Sequence, residues 1–194
     1  MTLSEKVNQN RICFQNDIFS EDSTSIVQKY ILQGEPIVLS SDRYFRLRKA
    51  ISGKFGLHPN DILLVGSAKL GFSLSENRML ENFCNESDID VAIVSAGLFQ
   101  RVWQEAFKYR DSVGNWSNFP SFRRYLFKGW IRPDFLPLSE NFEFAEEWNS
   151  FFQQLTASGE FGPYKIAAGL YHSLFFLESY HCKCIEMCVA ALGE

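Results

Sequence analysis

The spacing of apolar and polar residues predicts a polar N-terminal stretch followed by helices. Residues 1 to about 22 are polar and show no sustained period, so we expect a tail or an arm there. Apolar positions at helical spacing predict one helix over residues 23–32 and another over 41–55. The second has a plausible N-cap at Ser40 or Ser41.

Two apolar runs have the length and composition of buried strands, and a polar loop separates them. The run 61–65 ends at Gly66, which is typical of a strand that enters a tight turn. Residues 72–87 predict a loop with one helical turn, and residues 88–94 predict the second strand. Ser95 can cap a helix over 96–109, on which we expect these residues to face inward: Leu98, Phe99, Val102, Trp103 and Phe107.

The rest of the chain continues the alternation of helix and strand. The predicted elements are a helix over 121–129, a strand over 131–136, a helix over 141–155, a strand over 164–170 and a helix from about Ser173. One long helix from 164 onward is an alternative for the last two. The pattern therefore predicts the α/β (α+β) class, with residues 23–194 as a single domain that ends in a helical segment.

Composition narrows the class of protein further. The chain of 194 residues suits one compact domain, and its 19 phenylalanines are more than an ordinary core of this size needs. The net charge of −4 argues against nonspecific coating of nucleic acid, although a local basic strip such as Arg123, Arg124, Lys128 and Arg132 is compatible with an RNA partner. Neither a signal peptide nor a membrane span is evident, so we expect a cytoplasmic protein without membrane contact.

The five cysteines favour reduced thiols over a disulfide framework, because their number is odd. The cluster of His181, Cys182, Cys184 and Cys188 contains zinc's preferred ligands but lacks paired Cys-x-x-Cys elements. Its apolar helical pattern favours buried thiols and a core histidine instead of a zinc site.

Asp88 and Asp90 are the residues whose chemistry is most specific. They are two positions apart at the start of a strand, so both carboxylates lie on one face. Mg²⁺ or Mn²⁺ prefers such oxygen ligands together with substrate phosphates, and two ions can stabilise the attacking and leaving oxygens of a phosphoryl displacement. The pair therefore indicates a metal-dependent phosphoryl-transfer site.

The order of the motifs resembles the nucleotidyltransferase superfamily that shares its catalytic domain with DNA polymerase beta. The resemblance covers residues 61–137: a strand that ends in Gly66-Ser67, then Lys69 to Gly71, then the strand that begins Ser87-Asp88-Ile89-Asp90. It implies a small mixed β-sheet flanked by helices. A third carboxylate in that family lies on a later strand, and Asp134 is the candidate here, although Pro133 replaces the apolar residue that usually precedes it.

The resemblance implies a role for each candidate residue. Asp88, Asp90 and Asp134 would be catalytic and would hold the metal, with Asp134 also helping to activate the acceptor. The nucleoside triphosphate, ATP among the candidates, would be bound by Gly66, Ser67, Lys69 and Ser73. An exposed loop lysine and an ordinary turn serine are the alternative interpretations of Lys69 and Ser73.

The function implied is transfer of a nucleoside monophosphate from the triphosphate to a hydroxyl of RNA, a protein or a small molecule. Small stand-alone members of this kind occur in bacterial toxin-antitoxin and antiviral defence systems. The alternative is a noncatalytic nucleotide-binding subunit that acts through a protein partner or as a homo-oligomer. The high aromatic content and the acidic balance favour protein contacts in that case.

Overall fold

The structure, a computed structural model, describes residues 2–113 and 115–193. Its helices are α1 (Leu3–Asp17), α2 (Ser23–Val27), α3 (Ser41–Phe55), α4 (Gly66–Leu70), α5 (Ala96–Val113), α6 (Phe119–Phe127), α7 (Glu143–Ala157) and α8 (Leu174–Leu192). Its strands are β1 (Ile62–Val65), β2 (Ile89–Val94), β3 (Trp130–Ile131) and β4 (Ile166–Tyr171). One π-helical turn, Gln28–Leu32, extends α2.

The four strands form one mixed sheet in the order β1-β2-β4-β3. β1 pairs with β2 and β3 pairs with β4 in antiparallel fashion, whereas β2 and β4 are parallel. A parallel pair requires a long crossover, and the chain between β2 and β4 supplies it with α5, α6, β3 and α7. The mixed α/β class predicted from the sequence is confirmed, as is the small mixed sheet with helices around it.

Alternate residues of β2 face two separate cores. Ile89, Val91 and Ile93 pack in a first core with residues of α3, α5, α6 and α7. Ala92 and Val94, which is two positions further along, pack in a second core with residues of α1, α2 and α8. Asp90 has the same parity as Ala92, so it lies on the face of the sheet that α8 covers.

Several predicted elements are confirmed. Helix α3 covers residues 41–55 as predicted, and the Ser40 hydroxyl caps it by accepting a hydrogen bond from the Arg43 amide at 3.4 Å. The predicted strand and helix after residue 164 are present as β4 and α8, so the alternative of one long helix is wrong.

Three predictions about local structure differ from what is observed. The N-terminal stretch forms helix α1, closed by a capping box between Thr2 and Glu5. On α5, Trp103 and Phe107 are 50% and 69% exposed, because the buried stripe runs through Leu98, Val102 and Ala106 instead. The strand expected over 131–136 ends after two residues, since proline has no amide hydrogen for the sheet and Pro133 starts a 3₁₀ turn.

Within residues 2–113 and 115–193, no helix combines the length and the apolar character needed to cross a bilayer.

Candidate functional site

Gly66 joins strand β1 directly to helix α4 and has a positive φ of +64°. A Cβ atom at this position would lie 2.6 Å from Oδ2 of Asp90. Only glycine therefore satisfies both requirements, because an L side chain is disfavoured at this φ and would also collide with the carboxylate. The pairing of Val65 with Asp90 in the sheet explains why the turn and the carboxylate meet.

Asp88 and Asp90 occupy one wall of the site, as the sequence predicts. Asp88 immediately precedes β2 and its Oδ2 lies 3.3 Å from Nζ of Lys165, which immediately precedes β4. Asp90 lies in the strand, where burial and then the charge of Asp88 raise the pKa of its carboxyl to about 6, against an opposing effect of Lys165. A cation that bound between the two carboxylates would remove the repulsion that contributes to this shift.

Two cavities meet at this carboxylate pair. The smaller has a volume of about 370 Å³ and the larger about 850 Å³. Both cavities are lined by Gly66, Asp88, Asp90, Tyr180 and His181. The residues predicted from β1 and β2 are therefore brought together with two residues of α8.

Besides the carboxylates of Glu86, Asp88 and Asp90, hydroxyl groups and one guanidinium line the smaller cavity. They belong to Ser67, Ser73, Ser75, Arg78 and Ser87. Ser73 and Ser75 are in the loop before β2, with their hydroxyl oxygens 2.8 Å apart. Serine hydroxyls and a guanidinium are suitable donors for phosphate oxygens. The structure thus brings three predicted residues, Gly66, Ser67 and Ser73, to this cavity.

The larger cavity is lined by aromatic rings and positively charged side chains. They come from the sheet and its flanking segments, and from helices α7 and α8. Its walls include Trp130, Arg132, Trp148, Phe152, Lys165, Tyr171 and Tyr180. In the middle of β4 three small residues line the cavity, Ala167, Ala168 and Gly169. This cavity has the size and mixed character of a small-molecule site.

Two buried polar atoms in the walls of the larger cavity have no hydrogen-bond partner among the described residues. They are Nε1 of Trp130 and Nε2 of His181. A buried polar group without a partner costs roughly 1–3 kcal/mol, so such groups are uncommon in folded proteins. The two unpaired atoms therefore lower the stability of the folded protein at this site.

Lys69 does not contribute to either cavity, and its predicted role in triphosphate binding is not supported. Its side chain is buried on the far side of α4, where the ammonium donates to the backbone carbonyl oxygens of Gln33 and Gly34, each at 2.5 Å. Burial lowers the pKa of Lys69 to about 8, against an opposing effect of Glu35. These two hydrogen bonds connect α4 to the residues that follow the π-helical turn.

Asp134 lines the larger cavity together with Asp88 and Asp90, but the three side chains do not form a group that could hold a metal ion. It lies in the 3₁₀ turn after β3, and β3 pairs with β4, not with β2. Two strand spacings separate β2 from β3, which is about 10 Å. The residues in register with Asp90 on the two neighbouring strands are Val65 of β1 and Ala167 of β4, and neither is a carboxylate. Among the described residues, no three His, Cys, Asp or Glu side chains are grouped so that they could hold a metal ion.

The donors still fit one mode of magnesium binding. Mg²⁺ is commonly held by one or two protein carboxylates, with substrate phosphates and water completing its shell. Asp88 and Asp90 supply two carboxylates at the junction of the cavities, and the raised pKa of Asp90 reflects the burial and like charge that a cation would relieve. These two residues are therefore the ones that would hold the metal.

The cysteine and histidine cluster of α8 does not form a metal site in the described part of the chain. Cys188 is buried and His181 is 6% exposed, as predicted for a core thiol and a core histidine, whereas Cys182 and Cys184 are only half-buried. Burial lowers the pKa of His181 to about 4, so the imidazole is neutral at neutral pH.

Sequence reasoning missed the site residues that come from distant parts of the chain. Lys165, Tyr180 and His181 reach the carboxylates only because β4 lies next to β2 and α8 packs over that face. Sequence reasoning also missed Arg78, which lies in the same polar loop as the predicted residue Ser73. No local motif marks these positions.

Comparisons of the chain with protein-family models, with curated proteins and with solved structures found no match.

Proposed function

We propose that this protein is a metal-dependent nucleotidyltransferase that transfers a nucleoside monophosphate from a nucleoside triphosphate to an acceptor hydroxyl. The observation that supports this function best is the meeting of two chemically different cavities at the Asp88–Asp90 pair. One cavity offers hydroxyls and a guanidinium suited to phosphates, and the other offers aromatic and cationic walls suited to a second substrate.

In the proposed reaction an oxygen of the acceptor hydroxyl attacks the α-phosphorus. The new O–P bond forms as the bond between the α-phosphorus and the bridging oxygen breaks, pyrophosphate leaves with the electron pair, and the hydroxyl proton passes to water. When bound, Mg²⁺ or Mn²⁺ supplies neutralisation of the charge that develops on the attacking and leaving oxygens. Ser67, Ser73 and Arg78 bind the β and γ phosphates, and Gly66 leaves room for the carboxylate of Asp90.

The carboxylate pair gives the most direct test. Purified protein is incubated with each α-labelled triphosphate, Mg²⁺ or Mn²⁺, and RNA, peptide or nucleotide acceptors, while label transfer and pyrophosphate are measured. We expect Asp88→Asn and Asp90→Asn to reduce the rate at least about a hundredfold, because metal contributes several kcal/mol and each 1.36 kcal/mol is a factor of ten.

The matched control is Asp42→Asn, which removes a carboxylate that is 77% exposed in the first turn of α3. It should leave the rate unchanged. Equal product from wild type and both active-site variants would exclude the proposed reaction.

A noncatalytic nucleotide-binding role is the second candidate, and the position of Asp134 favours it. The strand next to β2 has Ala167 where a carboxylate would adjoin Asp90. In that case a triphosphate stabilises the protein against heat without being consumed, and the shift persists in the presence of a chelator.

A further inference from the structure

Arg132 is held in one orientation at the wall of the larger cavity. Its Nε and Nη2 atoms donate to the two carboxylate oxygens of Asp134 at 3.1 and 2.8 Å. Aromatic rings surround the guanidinium: its central carbon is 5.2 Å from the ring centre of Tyr125, 5.5 Å from that of Trp130 and 4.8 Å from that of Phe135. A guanidinium has five N–H donors, so the pair with Asp134 leaves donor capacity for a ligand.

The ion pair itself adds little stability. The side chains of Arg132 and Asp134 are 34% and 53% exposed, and ion pairs with such exposure contribute about 0–1 kcal/mol. The effect of the pair is orientation, because two parallel hydrogen bonds fix the plane of the guanidinium. A planar donor fixed at a cavity wall is suited to bidentate recognition of phosphate or carboxylate.

The reaction geometry decides which substrate meets this arginine. This step rests on the proposed function: in a displacement at phosphorus, the attacking and leaving oxygens lie roughly in line. If pyrophosphate departs into the smaller cavity, with its serines and Arg78, the acceptor approaches from the opposite side of Asp88 and Asp90. That side is the larger cavity, where Arg132 lies.

We propose that the acceptor is a nucleotide whose phosphate binds Arg132 and whose base packs against the aromatic wall of the larger cavity. Trp130 and Tyr171 form part of that wall as a stacked pair, with ring centres 5.2 Å apart and planes inclined by 13°. Asp134 is a positioning residue for Arg132 and not a metal ligand. The volume of about 850 Å³ suits a mononucleotide or the phosphorylated end of a short strand, and the net charge of −4 favours a small acceptor over a long nucleic acid.

Binding of AMP tests the proposal without any need for turnover. The full chain is titrated with AMP in the presence of EDTA, and tryptophan fluorescence is recorded, since Trp130 and Trp148 line the cavity. Wild type should give a saturable change. Arg132→Met should weaken binding at least about tenfold, and Arg132→Lys should restore it only in part, because a lysine is a point charge without the planar fork.

The control is Arg101→Met, which removes an exposed arginine from α5, away from both cavities, and should leave AMP binding unchanged. Urea unfolding of each variant identifies any that fails to fold, and the conservative Arg132→Lys protein then carries the comparison. A second titration with 5′-phosphorylated triadenylate distinguishes the two sources of the phosphate. If it binds through Arg132 and AMP does not, the acceptor is a strand end.

Asp134→Asn separates positioning from metal binding. We expect the variant to weaken AMP binding several-fold in EDTA and, in turnover assays, to raise the acceptor KM while kcat and the Mg²⁺ dependence stay unchanged. The double variant with Arg132→Met should bind AMP no more weakly than Arg132→Met alone, since the two residues act as one unit.

Three results would overturn the proposal. One is that wild type binds neither AMP nor triadenylate more tightly than the Arg132→Met variant does. Another is saturable binding of a serine-containing peptide in the same cavity with no nucleotide binding. The third is an Asp134→Asn protein that binds AMP normally but has a lower kcat and an altered Mg²⁺ dependence. If wild type binds AMP through Arg132 but transfers no label, the nucleotide site stands and only the proposed transferase function fails.

Discussion

Gly66 has a positive φ and also a Cβ position that a carboxylate occupies, so two separate demands favour glycine there. Its φ is positive, as it is at Gly56 and Gly159, but those two have open space where a Cβ would be. At Gly66 the same position is occupied by the carboxylate of Asp90. The comparison separates the cost of backbone conformation from the cost of crowding the site.

Gly66→Ala should therefore reduce nucleotide transfer at least about tenfold, because the new methyl group must move Asp90. The matched control, Gly56→Ala, has the same backbone requirement at the end of α3 and should lose only about 1–2 kcal/mol of stability, with activity retained. Initial rates and urea unfolding curves of both variants provide the check. Normal turnover by Gly66→Ala would mean that the position of Asp90 is not critical.

His181 makes the stability of the protein depend on pH. Its folded pKa of about 4 lies below the ordinary value of 6.5, so the unfolded chain takes up a proton first as the pH falls. Its contribution to stability is fully present above pH 6.5 and is lost between pH 6.5 and 4. The difference between the two values corresponds to about 3 kcal/mol.

Wild type should accordingly lose about 3 kcal/mol relative to His181→Gln between pH 7 and pH 4, whatever the cost of the substitution at neutral pH. Urea unfolding at several pH values in EDTA measures this difference. Asp90, whose raised pKa has the opposite effect, is present in both proteins and cancels in the comparison. Parallel stability profiles would show that His181 titrates normally.

At the scale of elements, helix α1 forms where the polar pattern predicts a tail or an arm. Its buried residues are Val7 and Phe14, and the ring of Phe14 packs against Tyr30 and Phe72. Its polar residues also have partners: Asn10 donates to the Leu70 carbonyl oxygen, and Arg11 donates to Asn82 in the loop before β2. The spacing of apolar residues does not predict this helix, because its partners at the end of α4 and in the loop after it lie far away in the sequence.

Phe14→Ala should destabilise the protein by about 3–5 kcal/mol, since Phe14 is fully buried. Ile12→Ala changes a residue of the same helix that is 45% exposed and should alter stability by about 0.5 kcal/mol or less. Urea unfolding compares the two. Equal, small effects would show that α1 is the loose arm that the polar pattern predicted.

The strands and the carboxylate pair were predictable because their signals are local. The runs before Gly66 and after Asp88 are short, apolar and bounded by turn residues, and a period of two places Asp88 and Asp90 together without reference to the rest of the chain. The strand expected to carry Asp134 is short for an equally local reason, since Pro133 starts a 3₁₀ turn in its place.

At the scale of the whole molecule, the site depends on strand order, which the sequence pattern does not reveal. β4 enters the sheet between β2 and β3, so it separates Asp134 from Asp90 and places Ala167 beside the latter. The same topology brings α8 over the carboxylates and gives both cavities a common wall of Tyr180 and His181. Contacts between residues about 90 positions apart leave no trace in local spacing.

The ion pair between Lys165 and Asp88 affects how the folding of the protein depends on metal ions. Lys165 is 70% exposed and its pairing is weak, so it supplies a replaceable positive charge beside the carboxylate. We therefore expect the chain to fold without a metal ion, unlike proteins whose folding energy comes from the metal. If Asp88 holds a divalent ion as proposed, the ion would displace only this exposed lysine, so its binding and release would leave the sheet in place.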